Sequence, residues 1–205
     1  MNFKKILVKF YGTRIISFNR YNNLKLDIDF NKDVDFRIYI RKFEDHILFV
    51  FQKLLSVDSI VLDIGANIGW YSLIAAQKIK AENHIYAFEP ASNAYQKLLK
   101  HISLNEASQI SAHNCCIADY EGEILLNICE DDAYNSVGNS PILNIQEQVN
   151  SPVINIDAFI EKYRIPKVDI IKIDTEGAEM LVLKGAKKTL QKFSPVIFLK
   201  LIKKC

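Results

Sequence analysis

Apolar and polar positions fall into two regimes along the chain. Up to about residue 45 the pattern is mixed. "YNNLKLDIDF" and "DFRIYIRKF" alternate apolar and polar residues, which predicts short strands. "EDHILFVFQKLLS" predicts a helix, with Glu44 and Asp45 in a first turn where the helix dipole favours negative charge. From Ser59 the pattern becomes regular. Short continuous apolar runs, "SIVLDIG", "HIYAFEP", "SAHNCCIA" and "VDIIKID", alternate with stretches at helical spacing, "IGWYSLIAAQKIK", "SNAYQKLLKHISLN" and "AEMLVLKGAKKTLQKF". Ser92 is placed to cap the second of these helices. "DYEGEILLNI" adds a turn and a strand, "PVINI" a strand, "DAFIEKYRI" a short helix, and "PVIFLKL" a closing strand. Residues 130–151 are polar and turn-rich, and predict a long loop of the kind that is a lid, a binding loop or disorder.

Continuous apolar strands separated by helices predict an α/β fold, a mostly parallel sheet with helices on both faces. The expected organisation is an N-terminal extension over residues 1–50, with short strands and a helix, and an α/β domain over residues 51–205.

Composition narrows the class. A chain of 205 residues with 49% hydrophobic positions can bury one sizeable core. A net charge of +2 and a pI of about 8.2 do not argue for nucleic acid, which usually needs a clustered basic face. The four cysteines, Cys115, Cys116, Cys129 and Cys205, form no CxxC pair, and the four histidines are scattered. This spacing predicts no metal site and reduced thiols, hence a cytoplasmic location. In "MNFKKILVKFYGTRIISF", Lys9 and Arg14 interrupt the apolar run, so a signal peptide and a transmembrane segment are not expected. A basic amphipathic helix resting on a membrane is a weaker alternative to a helix packed on the domain.

Candidate chemistry gathers where the strands end, since ligands of open α/β sheets bind beyond the carboxyl ends of the strands. Each such end carries an acidic residue: Asp63, Glu89, Asp119, and then Asp174 with Glu176 and Glu179. The loop Asp63-Ile-Gly-Ala-Asn-Ile-Gly69 is glycine-containing but is not GxGxxG. Gly65 suits a turn with close ligand approach, and Gly69 suits either the loop or close helix packing. Asp63 would repel a pyrophosphate and suits a ligand with an ammonium group, such as the methionine part of S-adenosyl-L-methionine (SAM). This disfavours a nicotinamide-dependent oxidoreductase. Glu89 is placed to accept hydrogen bonds from ribose hydroxyls. Asp119 reads either as a partner of the adenine amine, with Ile117 against the ring, or as a turn residue. Asp174 leaves a buried strand. Glu176 and Glu179 enter the next helix, whose start also favours acidic residues.

Taken together, "VLDIGANIGWYSLIAA", "AFEP", "LNICEDDAYNS" and "IIKIDTEGAEMLVLKGAKKTL" resemble the FkbM-type methyltransferases over about Ser59 to Leu199. The resemblance implies a Rossmann-like SAM-dependent methyltransferase fold and methyl transfer to a hydroxyl of a sugar, glycan or natural-product acceptor. It implies that Asp63, Gly65, Asn67 and Gly69 form the SAM loop, that Glu89 meets the ribose and that Asp119 lies on the adenine side. It also implies that Lys172, Asp174, Glu176, Gly177 and Glu179 face donor and acceptor, with Asp174 as the base or orienter of the acceptor. The chain departs from the family pattern at Lys200, where an acidic residue is usual. It also stops where such sheets commonly add two antiparallel strands, which would leave the fifth strand with an unpaired edge. The alternative reading is therefore a truncated fragment that binds SAM without turnover.

Overall fold

A computed structural model describes residues 3–129, 136–137 and 145–200. Most of the loop expected at 130–151, and the last five residues, lie outside that set. The chain starts with α1 (Phe3–Tyr11), then the antiparallel pair β1 (Thr13–Phe18) and β2 (Leu24–Asp29), followed by α2 (Asp33–Tyr39) and α3 (Asp45–Leu54). The regular region follows as β3 (Val61–Ile64), α4 (Trp70–Ala76), β4 (Ile85–Phe88), α5 (Ser92–Leu104) and β5 (Ile110–His113). Next come β6 (Cys116–Ile117), β7 (Gly122–Cys129), β8 (Ser136–Val137) and β9 (Ile145–Ile154). The chain then forms α6 (Ile156–Lys162), β10 (Ile170–Ile173), α7 (Glu179–Lys184), α8 (Lys187–Phe193) and β11 (Val196–Leu199).

Five strands make a parallel sheet in the order β11-β10-β3-β4-β5. Chain order runs outward from β3 to β5 and then resumes on the other side at β10. The reversal between β3 and β10 is a topological switch point, where a crevice opens at the carboxyl ends of the strands. Every residue of β3 and β10 is buried, which accounts for their apolar character, interrupted only by the register pair Asp63 and Lys172. One face packs Leu73, Ile74 and Leu98 together with Leu24, Leu26, Ile28 and Phe51 from the first 51 residues. The other face packs Ile64, Phe88, Phe159, Ile171 and Val182. Helices thus cover both faces, and the N-terminal elements share the core of the sheet.

The β1–β2 pair is tied to α5 through a buried histidine. His101 accepts the Asp27 amide at Nε2 (2.9 Å), and its Nδ1 lies 2.8 Å from the Ile68 carbonyl. Burial pushes this imidazole below its usual pKa, and the neutral tautomer with a proton on Nδ1 satisfies both partners.

The structure corrects several elements read from the pattern. "DFRIYIRKF" is mostly helix, α2, rather than a strand. Asp33 and Asp35 stand in its first turn, and Asp35 accepts the Asp29 amide at 2.7 Å while pairing with Lys97. "SAHNCCIA" is two strands in different sheets. Asn114 breaks it by donating from its side chain to the carbonyls of Glu89 (2.8 Å) and Pro90 (2.9 Å), after which β6 joins β9. Residues 145–151 are strand, paired antiparallel with β7, in a second sheet of order β6-β9-β7-β8. "AEMLVLKGAKKTLQKF" is two helices. Asp157 accepts the amides of Lys188 (2.9 Å) and Thr189 (2.8 Å) and so starts α8 afresh. Gly185 closes α7 against the Ala118 carbonyl, which a side chain at that position would overlap. Ser92 is the first residue of α5 and gives no side-chain cap. The Ala91 amide is taken instead by Glu89, at 2.9 Å. β11 and β5 are the outermost described strands of the parallel sheet, and no helix among the described residues is long and apolar enough to cross a membrane.

Candidate active site

A cavity lies over the switch point. Its walls include the loop after β3, the tip of β4, the start of β6 and the turn after β10. Of the site residues read from sequence, Gly65, Asn67, Glu89, Lys172, Asp174 and Glu176 line it.

Asp63, Gly69 and Glu179 stand behind this wall. Asp63 is fully buried, and its Oδ2 accepts the Ser72 hydroxyl (2.7 Å) and amide (3.2 Å). Its other oxygen lies 3.2 Å from Lys172, its register neighbour on β10. Lys172 in turn donates to the Gly65 carbonyl at 2.7 Å and sits 5.4 Å over the Tyr71 ring. Burial alone would lower the Lys172 pKa, but Asp63 and Asp174 outweigh it and hold the ammonium above its ordinary value. Glu179 is buried and accepts the Gly177 amide (2.8 Å) and the Thr175 hydroxyl (3.2 Å), which fixes the turn that presents Asp174 and Glu176. Asp119 is exposed after β6 and does not line the cavity; on that side the wall is Cys115, Cys116 and Ile117.

Packing accounts for both glycines. Gly65 has φ +74°, and a side-chain carbon there would overlap the Asp174 carbonyl. At Gly69, with φ +87°, it would overlap Leu98 on α5.

Glu89 is held by main chain. It accepts the Asn67 amide at 2.8 Å and the Ala91 amide at 2.9 Å. Burial outweighs those two bonds and pushes its carboxyl up to about 7. Across the cavity, Lys200 reaches back from the end of β11, 3.0 Å from both Asp174 and Glu176. Burial works against its charge, yet the two carboxylates raise its pKa well above the usual lysine value. Glu176 stands in the left-handed region at φ +50°, and burial raises its pKa.

Sequence reasoning missed the N-terminal side of the site. Arg37, Phe43 and Glu44 also line the cavity. Glu44 is not in the first turn of α3 but precedes it with φ +50°, and its Oε2 accepts the Tyr71 hydroxyl at 2.8 Å. Burial first, and Glu44 second, push the Tyr71 phenol far above its usual pKa. No local motif marks these contacts, because they join residues far apart in sequence. Trp70 also lines the cavity, and its Nε1 is buried without a hydrogen-bond partner among the described residues. No group of three histidine, cysteine, aspartate or glutamate residues among those described could hold a metal ion.

Comparison with known proteins places this geometry. The methyltransferase FkbM domain matches residues 63–203. Methyltransferase 1 of Beauveria bassiana is 27% identical over 146 residues, covering 62% of this chain and 58% of that protein. Hexuronic acid methyltransferase AglP of Haloferax volcanii is 26% identical over 140 residues, covering 68% of this chain and 55% of that protein. The chain therefore spans little more than half the length of these two relatives. Among solved structures, the methyltransferase FkbM from Methylobacillus flagellatus KT is 22% identical and covers 70% of this chain and 32% of that chain, with a TM-score of 0.49. With the domain matched over more than half its length, this chain belongs to the methyltransferase FkbM family.

Proposed function

We propose that the cavity binds S-adenosyl-L-methionine and that the protein transfers its methyl group to a hydroxyl of a sugar, glycan or natural-product acceptor. The observation that carries this reading is the pairing of Glu89 at one strand tip with Asp174 and Glu176 at another, across the switch point. The residues present fit the cofactor. Glu89 keeps acceptor capacity beyond its two main-chain partners, as a ribose diol requires. Phe88 and Ile117 give an apolar wall for a ring. Trp70 brings a buried donor that lacks a partner among the described residues. The carboxylates suit a cationic ligand.

When bound, SAM supplies an electrophilic methyl group on a sulfonium, a good leaving group. The protein's work is then mostly positioning. Asp63 and Lys172 hold the Gly65 end of the loop from beneath, and Glu179 holds the turn after β10. Asp119, exposed beside the adenine-side wall, is outside this set of contacts. Asp174 orients the acceptor hydroxyl and takes the proton it loses, and general-base help of this kind is worth about 10²- to 10⁴-fold. Glu176 and Lys200, one an acceptor and the other a donor, suit neighbouring hydroxyls of a polyol. A hexuronic acid methyltransferase among the relatives supports a sugar acceptor.

Titration calorimetry with SAM, followed by labelled-methyl transfer into candidate acceptors with the product identified by mass, tests the proposal. A chain that leaves SAM unbound overturns it.

A further inference from the structure

Three described cationic side chains line the cavity: Arg37, Lys172 and Lys200. Two are already engaged at short range. Lys172 is locked to the Gly65 carbonyl (2.7 Å) and Asp63 (3.2 Å). Lys200 is shared by Asp174 and Glu176, at 3.0 Å from each. Arg37 differs. Its carboxylate neighbour is Asp33, one turn earlier on α2, at 3.8 Å, which is beyond hydrogen-bond distance. Asp33 is itself shared with Lys4 at 3.9 Å. The Arg37 guanidinium also lies over the Phe43 ring, 5.2 Å from its centroid, a cation–π contact that uses up none of its N–H donors.

The same segment also lends the cavity an anion. Glu44 lines the cavity and spends one oxygen on the Tyr71 hydroxyl. A guanidinium with open donors and a carboxylate on one wall form a receptor for a group that is both anion and cation. An α-amino acid is such a group, and the methionine end of SAM carries one.

Resting on the cofactor reading above, we propose that Arg37 holds the α-carboxylate of SAM through its guanidinium fork, with Glu44 facing the neighbouring ammonium. The N-terminal helix α2 is then part of the cofactor site, although it precedes the matched family domain, which begins at residue 63. Planar bidentate pairing of this kind is what arginine provides and lysine does not.

The test compares SAM with decarboxylated SAM, which lacks only the carboxylate, by calorimetry on the full chain and on Arg37→Ala and Arg37→Lys. Arg37→Ala is expected to weaken SAM about 10- to 100-fold. It is expected to leave decarboxylated SAM bound as tightly as by the unaltered chain. Arg37→Lys recovers part of the loss, and the melting temperature of each variant shows that it has folded. An unchanged SAM affinity, an equal loss for both ligands, or an effect confined to the acceptor KM overturns the assignment while leaving SAM binding standing. An unaltered chain that binds neither compound removes the cofactor reading and this assignment with it.

Discussion

Lys172 donates to the carbonyl of Gly65 at 2.7 Å, joining the turn after β3 to a neighbouring strand more than a hundred residues later. On the other side of the same glycine, the Asp174 carbonyl fills the space a side chain would need. Two acidic stretches that look separate in sequence are therefore one built unit. Gly65→Ala should lower stability by about 2–4 kcal/mol, combining a strained positive φ with a backbone overlap. Thermal unfolding measures this, and a melting temperature within a degree of the unaltered protein would contradict it.

Asp174→Ala separates chemistry from binding. Turnover is expected to fall by about 10²-fold or more, with SAM affinity within about threefold of the unaltered chain. Single-turnover methyl transfer and calorimetry on the same preparation check both halves. Retained turnover would remove Asp174 from its role as base.

On the proposed cofactor reading, Glu89 should make SAM binding depend on pH. Burial pushes its carboxyl up to about 7, so the ionised form, the one proposed to accept ribose hydroxyls, is a minority at pH 6 and dominant at pH 8. SAM affinity should rise about tenfold over that interval. Glu89→Gln should bind more weakly and without this pH dependence. Stability moves the opposite way. The folded chain holds a proton that the unfolded chain releases near pH 4.5, so this group's contribution falls as pH rises from about 4.5 to about 7 and is level above that.

Lys200→Met leaves Asp174 and Glu176 facing each other without the ammonium that lies 3.0 Å from both. Burial already raises the Glu176 pKa and Lys200 opposes that rise, so losing the ammonium favours the protonated Glu176. The acid limb of the pH–rate profile should move upward. An unmoved limb would mean that neither carboxylate limits the rate.

Burial pushes the Cys115 thiol up to about 12 and that of Cys116 to about 11. At pH 8 both should be alkylated by iodoacetamide at least about tenfold more slowly than a free cysteine. Fast labelling of either in the folded protein would contradict that environment.

The parallel sheet was legible because β3, β4 and β10 are short apolar runs bounded by glycine, proline or acidic residues. The carboxylate rim was legible because a strand ending in Asp or Glu shows in the text of the sequence. Other features left no such mark. "DFRIYIRKF" alternates as a strand does, and only the tertiary bonds of Asp35 decide for a helix. Residues 145–151 carry few apolar positions, because their pairing with β7 is made by main chain. Arg37 and Glu44 reach the cavity from another part of the chain, and a linear pattern carries no trace of that contact. Sequence marks the four acidic rim positions alike, yet Asp63 is buried beneath the loop and Asp119 lies outside the cavity wall.

The grip on Glu89 has an evolutionary consequence. Both of its protein partners are amide hydrogens, a feature every residue but proline brings along. Side chains around this anchor are free to diverge among descendants without displacing the Glu89 carboxylate.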